Sequence, residues 1–249
     1  MTSGVFAYAQ NVSDDFNDNV MNGSIWDEIS GGLHAADVTM AETGQHLQWV
    51  SSSFSDGELG YKGYASKWMF DLDYDFETSV EFHYSHEADS IFDYGAVRIS
   101  LFNMGSGIEE PEYSFSMAAG NAYEQGGNYD YFLKQISAPG WTDEPSVTER
   151  LIDSGIFVAY YSSDEDTLYA KILNSSGGLV EENSLENFRL TFGLDHVGVA
   201  ILGASAGAAF ANGEAYMDNF NASSAAPEPV SVSLFLLGAG AIALRRRRK

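Results

Sequence analysis

The sequence predicts an all-β sandwich, and three observations carry that prediction. Apolar and polar side chains alternate with a period of two in one stretch after another. Breakers rich in glycine and proline separate those stretches. In the body of the chain, apolar residues never hold helical spacing for more than about ten residues, and a short helix fits only around Ser184 to Phe188. Many short strands with glycine-rich turns make a sandwich the default, because each strand has an apolar face to bury against a second sheet.

Taken in order, Leu47 and Trp49 mark an early strand. Val80, Phe82 and Tyr84 alternate with Ser79, Glu81 and His83, and Val97, Ile99 and Leu101 alternate with Arg98 and Ser100. Tyr131 and Leu133 mark a middle strand. Ile156, Val158 and Tyr160 form one face of the next, and Leu168, Ala170 and Ile172 one face of its successor. The polar run Ser162 to Asp166 between those two makes them a β-hairpin. Val197 to Leu202 reads as a late, buried strand. Breakers fall at Gly31-Gly32, Gly105-Ser106-Gly107, Gly126-Gly127, Pro139-Gly140 and Gly177-Gly178, and no fixed repeat is visible.

The 12 basic and 36 acidic residues give a formal net charge of −24. Without Arg245 to Lys249 and Glu228, the body holds 7 basic against 35 acidic residues. Phosphate binding needs clustered Lys and Arg, so nucleic acid is excluded as a partner and an anionic membrane surface is disfavoured. With no cysteine there is no disulfide framework, no thiolate-held zinc and no thiol nucleophile. An apolar share of 45% is enough to bury a core.

The last residues differ from the body. Pro227-Glu228-Pro229 precedes an uncharged apolar stretch, Val230 to Leu244, which ends on Arg245-Arg246-Arg247-Arg248-Lys249. As a helix, residues 230–244 would rise about 22 Å, marginal against a hydrocarbon core of roughly 30 Å, and the terminal cations would stay cytoplasmic. These three parts in this order resemble the PEP-CTERM sorting signal. The resemblance implies export, recognition by an exosortase that cleaves near Pro227 to Pro229, and transient anchoring in the inner membrane through residues 230–244. It also implies a final place in the cell envelope or an exopolysaccharide matrix. An exported chain needs a signal peptide, and Ala7-Tyr8-Ala9 has the small-x-small form of its cleavage site. Residues 1–9 are therefore expected to be the end of a signal whose start lies upstream. The domain expectation is a β-sandwich over 10–223, followed by a linker and sorting tail over 224–249.

The body carries a second resemblance. Asp14-Asp15-Phe16, Trp26, Gly44-Gln45-His46-Leu47, the run Asp75 to Val80, the hairpin Tyr160 to Leu168 and Tyr216-Met217-Asp218-Asn219-Phe220 resemble successive strands of concanavalin A-like (LamG-like) jelly rolls. The resemblance implies a jelly-roll β-sandwich and fixes no activity; with the apolar helix read over residues 230–244, the fold expectation is a jelly-roll sandwich with a C-terminal apolar helix.

Candidate chemistry is sparse. Retaining glycosidases need two carboxylates about 5 Å apart. The nearest string to the signature on this fold, Glu87-Ala88-Asp89-Ser90-Ile91-Phe92, has Phe where the last Glu belongs. Asp73, Asp75 and Glu77 could share a strand face, but a solvated acidic face explains them as well. Asp71-x-Asp73-x-Asp75 departs from a calcium loop at Phe76 and Phe82, where Gly and Glu are required. If first and last strands pair, Asp14 and Asp15 approach Asp218 and Asn219, giving either an oxygen-rich calcium site or two hydrogen-bonded strand ends. His83 and His86 point to opposite faces of a strand, so no zinc site is expected there, and no His-Glu-x-x-His or Gly-x-Ser-x-Gly string occurs. Trp68, Trp141, Tyr123, Tyr129 and Tyr131 would stack on sugars if exposed, and Trp141, set among loop residues, is the best placed. The expectation is a non-catalytic structural or glycan-binding domain, with a carbohydrate-active hydrolase or lyase as the alternative.

Overall fold

In the computed structural model the described residues are 7–8, 11–51, 59–85, 94–102, 114–124, 127–138, 141–142, 146–189, 195–206 and 215–225. Side chains are described for all of these except 7–8, 122–124, 127–129, 133–138, 141–142 and 146. The strands are β1 (Ala7–Tyr8), β2 (Asn11–Asp14), β3 (Trp26–Gly32), β4 (Val38–Thr43), β5 (His46–Ser51) and β6 (Gly60–Ser66). They continue with β7 (Trp68–Asp71), β8 (Phe76–Tyr84), β9 (Tyr94–Phe102), β10 (Ser114–Glu124), β11 (Gly127–Ala138) and β12 (Trp141–Thr142). The last are β13 (Ser146–Glu149), β14 (Ser154–Ser162), β15 (Thr167–Asn174), β16 (Leu179–Glu186), β17 (His196–Ala206) and β18 (Ala215–Ser224).

Ten strands form one sheet in the order β1-β7-β17-β9-β10-β11-β12. In it β6 and then β3 continue outward from β17, and β13 lies beside β11. Eight form the other, β16-β15-β14-β8-β18-β5-β4, with β2 also paired to β18. Apart from the parallel β1–β7 contact, the pairings are antiparallel. Antiparallel strands need one apolar face each, which is the alternation seen in the sequence. In β8, Phe76, Thr78, Val80, Phe82 and Tyr84 point inward and are buried.

Aromatic contacts join the two layers. Phe70 of the larger sheet stacks on Phe76 of the smaller, with ring centroids 4.1 Å apart. Trp26 meets Phe220 edge-on at 4.9 Å, and Phe132 meets Phe82 at 6.3 Å. Each such pair adds about 0.5–1.5 kcal/mol beyond the area it buries. Polar links cross the same interior, among them the Tyr84 hydroxyl, which donates to Asn121 Oδ1, both fully buried. Arg150 lies 5.1 Å over the Tyr84 ring and pairs with Asp130 at 3.2 Å.

Two local expectations are corrected. The segment from Ser184 is strand rather than helix: β16 pairs with β15 through Glu186, Asn187 turns with φ 54°, and helical backbone starts only at Phe188, which drops into the core. Asp73, Asp75 and Glu77 do not form a strand face, because residues 72–74 turn between β7 and β8. Asp73 there pairs with Arg189, and Asp75 accepts from Ser163 N and Oγ at 2.8 and 2.7 Å. These bonds, from the Ser163 backbone first, hold the Asp75 carboxyl below its usual range.

Candidate functional site

The outward face of the ten-stranded sheet carries a groove, and the register explains why. Ser100 of β9 stands opposite Ser116 of β10 and Ala200 of β17, and Ala200 stands opposite Ala65 of β6. One row along, Arg98 stands between Ala118 and Leu202. Small residues on four neighbouring strands, β10, β9, β17 and β6, keep the middle of this face low, while Ile29, Tyr61, Leu202 and Phe102 rise around it. Gly31 lets the Tyr61 ring lie across β3, since a Cβ at that position would sit 2.2 Å from Tyr61 Oη. The result is a cavity of about 240 Å³ with apolar walls, the hydroxyls of Ser100, Ser114 and Ser116, and one guanidinium, that of Arg98. Ser100 Oγ and Ser116 Oγ are 2.7 Å apart.

The opposite sheet presents a polar pocket of about 310 Å³. Its centre is Tyr216, held between His46 and His83 at ring distances of 4.2 and 4.7 Å. His83 Nδ1 lies 2.6 Å from Ser154 Oγ, and its Nε2 lies 3.1 Å from Ser85 Oγ. Glu81 and Asp218 stand directly opposite each other on β8 and β18. Burial raises the Asp218 carboxyl, with Glu81 adding to the rise and His46 working against it.

The strand that carries Asp14 does meet the last strand, as expected, although β1, ahead of it, pairs with β7 instead. Asp14 of β2 pairs with Phe220 of β18, and a cleft of about 420 Å³ is lined by Asp14, Asp15, Asp18 and Asn219. Asp218 instead lines the Tyr216 pocket. The carboxylates are engaged locally: Asp14 Oδ1 accepts from Phe16 N at 3.1 Å and its Oδ2 from Trp26 Nε1 at 2.9 Å. Asp15 accepts from Asn17, and Asp218 accepts from Asn219 N at 2.7 Å. Among the described residues, no three His, Asp or Glu side chains are arranged to hold a metal ion. Glu42 of β4 lies at the same end with both carboxyl oxygens shut from solvent. Burial first, then the adjacent Asp18 and Asp14, push its carboxyl up to about 7. No sequence signal marked Glu42, because the groups that perturb it come from the end of β2 and the loop after it, more than twenty residues away.

Of the aromatic candidates, Trp68 and Tyr131 are buried at 4% and 5% exposure, so neither is an open platform. Trp141 pairs through its backbone with Ala138; its side chain, like those of Tyr123 and Tyr129, lies outside the described residues. So do Glu87 to Phe92, the tail residues Pro227, Glu228, Pro229 and Arg245 to Arg248, and the apolar stretch 230–244. Among the described residues, no helix is long and apolar enough to cross a membrane.

Two packed sheets, with β2 paired to β18, define the fold class as an all-β sandwich. No protein-family model and no curated protein sequence matches the chain. Solved structures do match its fold. The lectin UEA-II complexed with galactose superposes with a TM-score of 0.59 over 88% of this chain and 99% of its own, at 12% identity. The winged bean acidic lectin complexed with methyl-α-D-galactose gives 0.56 over 86% and 98%, at 13% identity. The lectin from Bauhinia forficata in complex with GalNAc gives 0.55 over 87% and 99%, at 14% identity. The likeness is one of fold.

Proposed function

We propose that this chain is a non-catalytic, glycan-binding sandwich, exported and sorted to the cell envelope or matrix by its C-terminal tail. The groove on the ten-stranded sheet carries the reading. Its apolar walls suit the C–H face of a sugar ring, and its hydroxyls and guanidinium suit the ring's oxygens. The sugars bound by the similarly folded lectins support the same class of ligand. The Pro-Glu-Pro tail with its basic end supports export, exosortase processing and residence near exopolysaccharide.

A second reading, a hydrolase or lyase, has one observation in its favour. Glu81 and Asp218 are cross-strand neighbours in the Tyr216 pocket, a side-by-side placement of two carboxylates that a retaining glycosidase also needs. The full-length chain in mild detergent, assayed for binding and sugar release on a panel of exopolysaccharides, separates the two. Binding without release is the expected result. Reducing or unsaturated ends released by wild type and lost in Glu81→Gln would establish the enzyme instead. Absence of any binding would overturn the glycan reading. Sorting is tested by the mass of the envelope-associated protein in a host with and without exosortase; an intact tail in both would sink that part.

A further inference from the structure

Charge pairing singles out one residue of the groove. Among the described side chains, Lys62, Lys67, Lys171, Arg150 and Arg189 each have a carboxylate within 4.0 Å. Arg98 has none among the described residues, in a chain with three acidic residues for every basic one. Its position explains this, since its cross-strand neighbours are Ala118 and Leu202, which offer no charge. The side chain is half-buried, and its Nε is closed to solvent with no hydrogen-bond partner. A half-buried guanidinium gains from meeting an anion, and its planar fork matches a carboxylate in bidentate fashion.

We propose that the groove selects an acidic sugar, a uronate residue of a polysaccharide, whose carboxylate is bound by Arg98. The proposal rests on the glycan-binding reading and names its ligand class. A neutral ring would meet Ser100, Ser114 and Ser116 and cover Phe102 and Ile29, but would give the guanidinium no counter-charge. A uronate does both. The cavity of about 240 Å³ is smaller than the roughly 300–1,000 Å³ of drug-sized sites, so it takes one ring of a chain rather than several.

The test compares oligogalacturonate, its carboxyl-reduced neutral counterpart, and cyclohexanecarboxylate, each titrated into the full-length protein. Wild type should bind the uronate about 10- to 100-fold more tightly than the neutral chain, the usual effect of a charge-assisted hydrogen bond. Arg98→Gln should lower uronate affinity to the neutral level, and Arg98→Lys should restore part of it, with circular dichroism and melting confirming that both are folded. Equal wild-type affinity for uronate and neutral chains overturns the acidic preference while leaving glycan binding intact. So does uronate binding unchanged in a folded Arg98→Gln. Cyclohexanecarboxylate bound as tightly as the uronate makes the groove an apolar-acid site and sinks both readings. So does silence toward all three. If Arg98→Gln fails to fold, the wild-type comparison of acidic and neutral chains decides alone.

Discussion

Replacing Glu42 by Gln should stabilise the protein at alkaline pH and leave it unchanged in acid. Glu42 sits beside Asp14 and Asp18 with its oxygens shut from solvent, and its carboxyl is raised from an ordinary 4.5 to about 7. The native state therefore holds this proton more tightly than the unfolded chain does. Stability from this group is full below 4.5, falls as pH rises from 4.5 to about 7, and is constant above. Each tenfold change in proton affinity is worth about 1.36 kcal/mol, so the rise sets a ceiling of roughly 3.4 kcal/mol. The side chain is only partly buried, and solvent screening reduces the expected effect to about 1–2 kcal/mol. Gln mimics the protonated acid at every pH.

Urea or thermal melts of wild type and Glu42→Gln at pH 4.5, 6, 7 and 8.5 measure the difference. The two proteins should match at pH 4.5 and separate by about 1–2 kcal/mol at pH 8.5, which is roughly 2–8 °C for a domain of this size. Other titrating groups are common to both and cancel. A difference that does not change with pH would refute the buried-proton account.

Asp14→Ala should cost about 2–3 kcal/mol in chemical melts, because it strands the Phe16 amide and the indole N–H of the buried Trp26; a cost below 0.5 kcal/mol would make those bonds incidental. Gly203→Ala should cost about 1–3 kcal/mol, since a Cβ there meets the Trp49 ring at 2.7 Å in a close-packed interior; an unshifted melt would mean that Trp49 is free to move. Adding 2 mM calcium or EDTA should move the melting temperature by less than about 1 °C, because Asp14 and Asp218 are already spent on internal donors. A reversible rise of several degrees would restore the calcium assignment for Asp14, Asp15, Asp218 and Asn219.

Wherever one sheet face is apolar and the other polar, the strands were legible. β8 is the clearest case, and the β14–β15 hairpin closes at the polar turn expected of it. β14 shows the limit. Ile156, Val158 and Tyr160 and their neighbours Phe157, Ala159 and Tyr161 are both apolar sets, so alternation gave no way to choose a face. The structure buries the second set and leaves the first half-exposed. Leu185 and Phe188 have helical spacing, yet the first packs from β16 and the second after a left-handed turn. The groove had no local signature at all. Arg98 and Ser100 read as the polar half of an ordinary strand, and only pairing with β10, β17, β6 and β3, spread from residue 26 to 206, makes them a floor.

That assembly sets a test by salt. A body with 35 acidic residues against 7 basic repels a polyuronate at long range, while Arg98 attracts one carboxylate at contact. The two effects respond differently to ions. Screening acts over about 30 Å at 0.01 M salt and about 8 Å at 0.15 M, so added salt removes the distant repulsion before it weakens a pair inside the groove. Oligogalacturonate should therefore bind more tightly, and associate faster, at 0.15 M than at 0.01 M. Proteins that hold polyanions by clusters of cations behave the opposite way. This chain has one such cluster, Arg245 to Lys249, in the tail. Affinity that falls with salt would therefore move the binding from the groove to the tail and remove the case for Arg98.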